Sequence, residues 1–363
     1  MSSEKKTVSG KGKRRVTLAD IATLAGVSRG VVSVALHGSE RGNIRVGPAT
    51  VEKIKALAKE LGYIPNLAAR QLSLQRSGMW GILCDSKPSE LNAARLALLH
   101  QAARAKGYRI IVEYLDEKHL DLEPIIEVFH NLGVEGVICL HHYFPNQHTL
   151  IPRMMTDQFE RVVFIDRPDI ENPRFCGVDY IEAGRMAYRI LRQHSERPGL
   201  ILKTLLWYSA PLLAKGFTEE WNADATKGDY APVWTAEAPG EEEKPFFDIT
   251  AARRALDSWA LPNKLTGLAV WNDERGSLVI NALQERGLEV PDDIAVLGLG
   301  NSRICELIRP TLSSIDLQIK PMIDRAVDIL FQLCQDKHPA NQVWIEPHLH
   351  TRMSCLKTLE KTP

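Results

Sequence analysis

From residue 79 onward the chain alternates short apolar runs with longer amphipathic stretches, and no other feature of the 363-residue sequence constrains the fold as strongly. The runs include MWGILCD at 79–85, VVFID at 162–166 and IAVLGLGN at 294–301, which are typical of strands covered on both faces. The stretches at 89–107 and 181–194 have helical periodicity. This alternation predicts α/β structure in two doubly wound parallel-sheet lobes, because about 270 residues exceed what one such sheet usually holds.

Polar residues come directly after several of these runs. Ligands in open parallel sheets bind beyond the carboxyl ends of the strands. We therefore expect a ligand cleft lined by Asp85, Ser86, His141, Asp166, Trp271 and Asn272. Any one of these residues could instead cap the helix that follows it, and Trp271 could fill the core as well as stack on a sugar ring. His141 and His142 are neighbours on a strand end and therefore point apart, which argues against a metal site.

Motifs of catalysis and cofactor binding are missing from the sequence. It has no nucleophile elbow, P-loop or HExxH motif, and GLGNSR at 298–303 carries only the start of a dinucleotide fingerprint. No pair of the six cysteines has CxxC spacing, so neither a zinc site nor a disulfide framework is indicated. We expect no enzyme activity and no cofactor. Since there is no signal-peptide core and no run of about 18 apolar residues, we expect a cytoplasmic protein without a membrane partner.

Residues 1–76, here called the head, are basic, whereas residues 77–363, the body, are acidic. The head holds 14 Lys and Arg against 5 Asp and Glu, a net charge of +9, and the body holds 31 against 40, a net charge of −9. A basic segment on an acidic protein points to a polyanionic partner for the head. Residues 1–15 are predicted to be a basic flexible tail, and residues 358–363 a C-terminal tail.

Residues 16–62 have the outline of a helix-turn-helix domain. TLADIATLAG (17–26) has apolar residues at helical spacing, a capping box of Thr17 and Asp20, and Gly26 as its stop. A second helix starts at Ser28, and GPATVEKIKALAKELG (47–62) forms a third. Periodicity alone would also fit a generic helical bundle. The face of the second helix that is free to enter a major groove consists of Arg29, Gly30, Ser33, Val34 and His37.

Residues 63–76 are predicted to form a hinge helix or linker. Pro65 forces Ile64 into an extended conformation, and Asn66 can cap a short helix. Its small alanines permit close approach to DNA, and Leu72 could wedge between base pairs in a minor groove. An interdomain linker with a stray apolar face is the alternative.

The segments VTLADIATLAGVSRGVVSVALHG and TVEKIKALAKELGYIPNLAARQL, within residues 16–72, resemble the DNA-binding head of the lactose-repressor (LacI/GalR) family. The resemblance implies that Ser28 contacts phosphate and that Arg29, Gly30 and Val34 occupy base-reading positions. It further implies that Asn66 and Ala69 line the minor groove and that Leu72 intercalates. The loop SERGNIRVG is longer than in the lactose repressor, which makes Arg45 available for phosphate. The predicted set of DNA contacts also includes Thr17, Leu18, Ser33 and His37.

The body resembles the periplasmic-binding-protein-like effector domain of the same family, through VFIDRP, GVDYIEAGRMA, the stretch 267–298 and PTLSSIDLQ. This implies an effector-binding and dimerisation domain over residues 77–357. It also implies that Asp166 and Asn272 bond to ligand hydroxyls, with Asp85 and Ser86 on the opposite wall. Leu213 stands where the family often has an arginine, so we expect a neutral, sugar-like effector.

Taken together, the sequence predicts a sequence-specific DNA-binding regulator, a homodimeric repressor. Its affinity for a pseudo-palindromic operator would be controlled by a small sugar-like effector. The alternative is a cytoplasmic sugar-binding protein of periplasmic-binding-protein type without regulatory DNA binding. An enzyme of the doubly wound class is disfavoured by the missing motifs.

Overall fold

The computed structural model describes residues 16–37, 45–63, 76–86, 90–116, 120–144, 147–203, 208–236 and 247–355. The chain divides into two compact units between Arg76 and Ser77, so that the units coincide with the head and the body.

The described part of the head contains three helices around a small core. They are α1 (Leu18–Ala25), α2 (Arg29–His37) and α3 (Pro48–Glu60). Helix α1 begins with the predicted capping box and ends at Gly26, which has a φ of 69° and closes the helix in the left-handed conformation. The buried side chains are Ile21, Ala22, Ala25, Val32, Ala35, Ile54 and Ala58. The short turn between α1 and α2 makes this pair a helix-turn-helix, as the sequence predicts.

The body contains two six-stranded sheets, each the centre of one lobe. In chain order, the strands of the first lobe are β1 (Met79–Asp85), β2 (Arg109–Leu115), β3 (Val137–Cys139), β4 (Val162–Ile165), β5 (Phe175–Val178) and β11 (Gln342–Ile345). Those of the second lobe are β6 (Pro198–Leu202), β7 (Val233–Thr235), β8 (Gly267–Val270), β9 (Ala295–Leu299), β10 (Ser313–Asp316) and β12 (His348–His350).

The first sheet has the order β11-β5-β4-β3-β1-β2 and is parallel throughout. The second has the order β12-β10-β9-β8-β6-β7, and only β12 runs antiparallel to its neighbour. Because parallel strands require crossover connections, helices cover both faces of each sheet. The central strands are accordingly buried along their length, as the apolar runs predict.

The helices of the body connect these strands. They are α4 (Glu90–Ala105), α5 (Glu123–Asn131), α6 (Leu150–Gln158), α7 (Tyr180–His194), α8 (Ser209–Ala223), α9 (Ile249–Ala255), α10 (Asp273–Gln284), α11 (Ile304–Leu307) and α12 (Ile319–Leu333). Helix α9 continues into a π-helical turn, Leu256–Ala260.

The chain passes between the lobes three times. It leaves the first lobe after β5, returns from β10 through α12 to β11, and crosses again to β12. One apolar cluster accordingly includes residues of both lobes, such as Ile82 of β1 and Leu297 of β9. The alternation of strands and helices predicts the two lobes, but the return of the chain to the first lobe is visible only in the structure.

Helices α7 and α8 approach each other closely because each carries a glycine at the crossing point. A Cβ atom at Gly184 would collide with the carbonyl oxygen of Leu213, and one at Gly216 would collide with that of Ile181. Three arginines of α7 pair with acidic residues along this helix pair; for example, Arg192 Nε lies 2.7 Å from Asp224 Oδ2. Close backbone packing and ion pairs therefore fix α8 against α7 on the second lobe.

Among the described residues, no single helix has both the length and the apolar character needed to cross a membrane. The bent pair Leu18–Ala25 and Arg29–Leu36 satisfies the criteria on length and composition alone.

Candidate functional site

The second helix of the head presents the face that the sequence predicts to contact DNA. Arg29 is exposed, and Gly30, Ser33 and Val34 are half-buried. On the opposite side Val32 is completely buried and Ala35 nearly so, and both belong to the head's core, whereas Val34 does not. His37 is the last residue of α2, and Arg45 is exposed ahead of α3. The local structure thus keeps the predicted reading positions out of the core.

Ser28 precedes α2 and caps its first turn. Its Oγ accepts a hydrogen bond from the backbone N–H of Val31 at 3.3 Å, and the residue is exposed. A hydroxyl that accepts one hydrogen bond still has its own O–H to donate. The predicted phosphate contact is therefore compatible with the capping role.

Thr17 and Leu18 have structural partners within the head. The Thr17 hydroxyl donates to Asp20 Oδ2 at 2.8 Å and accepts from the Asp20 backbone N–H at 3.3 Å. Leu18 is half-buried against the head's core. Their contact with DNA stays a prediction. Asn66, Ala69 and Leu72, together with the hinge helix, lie outside the described residues.

Tyr63 is a neighbour of the reading face that sequence reasoning missed. It packs against the head's core, and burial raises the pKa of its hydroxyl, while the positive charge of Arg29 opposes that rise. Tyr63 therefore lies close enough to Arg29 for the guanidinium charge to act on its hydroxyl. The only signal in the sequence is its place directly after the stop of α3.

In the first lobe, Asp166 is the centre of a buried polar network. It follows β4 with a φ of 65°, and its Oδ2 accepts hydrogen bonds from Arg95 Nη2 and from the Tyr180 hydroxyl, each at 3.2 Å. The side chains of Arg95 and Asp166 are only 8% and 13% exposed. Burial and the charge of Asp166 raise the pKa of Tyr180 well above its usual value, so Tyr180 remains a donor. The carboxylate that the resemblance assigns to ligand hydroxyls is thus already engaged.

The two adjacent histidines have different surroundings. His142 is buried, and its Nε2 lies 2.9 Å from the carbonyl oxygen of Ile165 and 3.2 Å from that of Asp166, which fixes the end of β4. Burial lowers the pKa of His142 below its ordinary value. His141 is half-buried, with its ring 4.8 Å from that of Phe144. Only His141 is therefore placed as a candidate for ligand contact.

Asp85 and Ser86 end the neighbouring strand β1. Asp85 is buried and Ser86 is exposed. Burial raises the pKa of Cys84, and the nearby charges of Asp85 and Arg95 act on it in opposite directions. Asp85, Arg95 and Asp166 therefore belong to one charged region of the first lobe.

Aromatic side chains from both lobes meet around Tyr180. Trp271, at the end of β8, packs edge-on against Tyr180 with 5.8 Å between ring centroids. Tyr208 lies 6.1 Å from Tyr180 and 5.7 Å from Tyr143, which belongs to the first lobe. Sequence reasoning predicted Trp271 but missed the three tyrosines and Arg95. The half-buried Trp271 packs against the apolar cluster, so its core-filling role is realised while part of its surface stays accessible.

Asn272 caps α10. Its side chain accepts the backbone N–H of Arg275 at a long 3.4 Å, so capping, which the sequence leaves open, is its observed role. The guanidinium of Arg275 returns to the start of its own helix, where Nη1 donates to the carbonyl oxygen of Trp271 at 2.8 Å. Burial lowers the pKa of Arg275 to about 10.

Asp273 organises the neighbouring loop of the second lobe. It is buried, and its carboxylate accepts hydrogen bonds from the Ser302 backbone N–H at 2.7 Å and the Ser314 hydroxyl at 2.6 Å. Gly300 has a φ of 124°, a conformation that side-chain-bearing residues rarely adopt. Among the residues that the structure describes, no group of three or more His, Cys, Asp or Glu is placed to hold a metal ion.

The head and the body each match a known protein family model. The family model for bacterial regulatory proteins of the lacI family matches residues 17–66, and that for a periplasmic-binding-protein-like domain matches residues 208–355. The transcriptional regulator CelR of Thermobifida fusca is 27% identical over 324 residues, which cover 84% of this chain and 87% of CelR. The transcriptional repressor PurR of Pasteurella multocida is 25% identical over 335 residues, covering 92% and 96%.

Solved structures share the fold. The Lac repressor dimer bound to operator and the anti-inducer ONPF has a TM-score of 0.77 at 22% identity and covers 95% of this chain and 100% of that one. A complex of CelR with cellobiose has a TM-score of 0.65 at 22% identity and covers 94% and 100%.

A helix-turn-helix head joined to a two-lobed periplasmic-binding-protein-like body defines a DNA-binding transcriptional regulator. The lacI-family model of the head and the curated relatives agree on this class of protein. The chain belongs to the lacI family of bacterial regulatory proteins.

Proposed function

We propose that this protein is a homodimeric repressor that binds a pseudo-palindromic operator, and that a sugar-like effector in the body sets its operator affinity. The observation that carries the proposal is the exposed face of α2, where Arg29 and Val34 stand outside the core of a helix-turn-helix. A helix whose apolar side is fully used by its own domain has its other side free for a major groove.

Arg29 is the main base-reading side chain of this face. Its guanidinium has the fork geometry that matches O6 and N7 of guanine. Gly30 and Val34 offer few hydrogen bonds to bases, so Arg29 cannot by itself supply the several kcal/mol that separate specific from nonspecific binding. The remainder would come from the half-site spacing of a dimer and from deformation of the DNA by Leu72 at the operator centre.

The effector site would lie where the two lobes meet in the body. Aromatic rings of both lobes, Tyr143, Tyr208 and Trp271 among them, come together beside the Asp166 network. Aromatic faces with a few convergent polar groups are the usual lining of small-molecule sites. The related CelR has been solved with cellobiose and the Lac repressor with ONPF, which supports a sugar-like ligand here.

Regulation would follow from two positions of the lobes. Three chain crossings join them, so ligand binding at the junction can shift one lobe against the other without unfolding either. An effector that prefers one arrangement shifts the population toward it and changes operator affinity by the same coupling free energy.

A fluorescence-anisotropy titration tests the proposal. The probes are a duplex from the region upstream of the protein's own gene and a scrambled duplex of equal length, each with and without candidate sugars. We expect tighter binding to the upstream duplex and a change of that affinity with one sugar. Equal affinity for both duplexes would reject specific DNA binding and favour the sugar-binding alternative.

The contribution of the hinge needs its own comparison. Leu72→Ala should weaken specific binding strongly, and changing the central step to a stiff A-tract should affect the wild type more than the variant, because a flexible pyrimidine–purine step is the easiest to unstack. An equal response of both proteins would show that the hinge is only a linker.

A further inference from the structure

The half-buried side chain of Arg275 brings a guanidinium to the carboxyl end of β8. Its Nη1 donates to the backbone carbonyl oxygen of Trp271 at 2.8 Å, and the ring of the same tryptophan packs against Tyr180. A guanidinium has five N–H donors in a rigid fork. Among the described residues only this hydrogen bond is formed by the side chain, so the rest of the fork is available to a ligand.

The nearby carboxylates are engaged with other groups. Asp166 pairs with Arg95 in the first lobe, and Asp273 accepts hydrogen bonds from Ser302 and Ser314 in the second. Glu274 is exposed and raises the pKa of Arg275 only partly, because burial dominates and lowers it to about 10. Burial of the guanidinium therefore costs free energy that the exposed Glu274 offsets only in part.

Arg275 matters for the charge of the effector because position 213 carries no arginine. The side chain of Leu213 is completely buried, and Lys215, two residues further on, is exposed beside Glu219. Neither residue replaces the arginine that the family often has at 213, and the sequence therefore predicts a neutral effector. The structure supplies a guanidinium from a different element, the first turn of α10.

We propose that Arg275 is the specificity-determining residue for an acidic sugar, whose carboxylate or phosphate binds its guanidinium while the sugar ring lies against Trp271. The inference rests on the proposed function, since it names the class of effector for the same cleft. Nε and Nη2 form the side of the fork that can donate hydrogen bonds to two anionic oxygens at once, which favours a planar carboxylate or a phosphate over a single hydroxyl.

A thermal-shift and calorimetric screen of the full chain tests the inference with matched ligands. The pairs are glucose with glucuronate and glucose 6-phosphate, and cellobiose with cellobionate; sodium acetate and inorganic phosphate control for the anion alone. The variants are Arg275→Met, which keeps the apolar stem, and Arg275→Lys. Arg253→Met is the matched control, because Arg253 is an exposed arginine paired with Glu285.

We expect an acidic member to raise Tm and to bind more tightly than its neutral counterpart. Arg275→Met should weaken the acid by about 10- to 100-fold, as for loss of a hydrogen bond to a charged group, and leave the neutral sugar nearly unchanged. Arg275→Lys should restore part of the affinity, and Arg253→Met should behave as the wild type. The acidic arms show whether a carboxylate or a phosphate is preferred.

Three results would contradict the inference, and each leads to a different conclusion. If a neutral sugar binds and alters operator affinity while no acid binds more tightly, the inference is wrong and the proposed function stands. If an acid binds equally well to the wild type and to folded Arg275→Met and Arg275→Lys, Arg275 is not the determinant. If no sugar of either kind changes Tm or operator affinity, both the inference and the sugar-controlled function are rejected.

Discussion

Replacing Asp166 by asparagine removes one negative charge from the buried network while keeping the shape of the side chain. Arg95 would then be left in a site where its side chain is 8% exposed, with no carboxylate at 3.2 Å. Removing one partner of a buried ion pair costs about 3–5 kcal/mol. The single hydrogen bond between the pair and the 13% exposure of Asp166 place the expected loss at the lower end, about 3 kcal/mol. For the body, residues 77–363, that corresponds to a fall in Tm of about 5 °C.

A double-mutant cycle separates the unpaired charge from other effects. Asp166→Asn, Arg95→Met and the double variant are unfolded with urea and by heat as the full chain. Since Arg95→Met removes the cation that Asp166→Asn strands, the double variant should be less destabilised than the sum of the single variants, with a coupling of about 1–3 kcal/mol. Glu285→Gln, which breaks an exposed pair with Arg253, is the control and should cost less than about 1 kcal/mol.

The result that refutes this reasoning is a free energy of unfolding for Asp166→Asn that matches the wild type within about 0.5 kcal/mol. The pair would then be solvated, and Asp166 would be free to bind ligand hydroxyls as the sequence predicts.

The same variant also has an expected effect on function. At a temperature where Asp166→Asn is folded, we expect operator binding to persist and the effector response to be lost.

Four further predictions concern other parts of the chain. Arg29→Ala should reduce specific DNA binding by about 1–3 kcal/mol and nonspecific binding much less; equal losses would make it a phosphate contact. Burial lowers the pKa of His142, so the unfolded chain binds a proton at this residue more readily than the folded chain does. Tm should therefore fall as the pH drops below about 6.5. The variant His142→Gln should flatten this pH dependence of Tm, and the control His100→Gln should not. Gly216→Ala should cost about 1–3 kcal/mol of stability, measured by urea unfolding, because the new methyl group meets the backbone of α7. All six cysteines are buried, so a thiol reagent should label them only as the protein unfolds; rapid labelling of the native chain would contradict their burial.

Local signals made much of the fold predictable. The capping box of Thr17, the stop at Gly26 and the proline that opens α3 lie where the sequence predicts them, because each acts within four residues of its partner. Strand β1 has the predicted bounds, since a fully buried parallel strand is a continuous apolar run. These features depend on neighbours in the chain and need no tertiary information.

The polar network of the cleft was not predictable in the same way. Arg95 is one of several polar residues of the amphipathic helix α4 and meets Asp166 across 71 residues of sequence, so no local pattern reveals the pair. Tyr180 and Tyr208 come together only because the chain crosses between the lobes after β5. Arg275 has the sequence context of an ordinary exposed residue in a first helical turn, and its burial is set by the surrounding lobe.

The three crossings between the lobes also bear on how the body can be synthesised and dissected. Strands β11 and β12 are the last edge strands of the first and second sheets, and they lie within nine residues of each other, from 342 to 350. Neither lobe is therefore a continuous stretch of chain, and no single cut yields an intact one. On the ribosome the first sheet stays one strand short until residue 345 has been made, and the second until residue 350. A premature stop codon before residue 342 would turn β5 and β10, which lie between neighbouring strands in the intact sheets, into edge strands, and exposed apolar edges recruit other strands in aggregation.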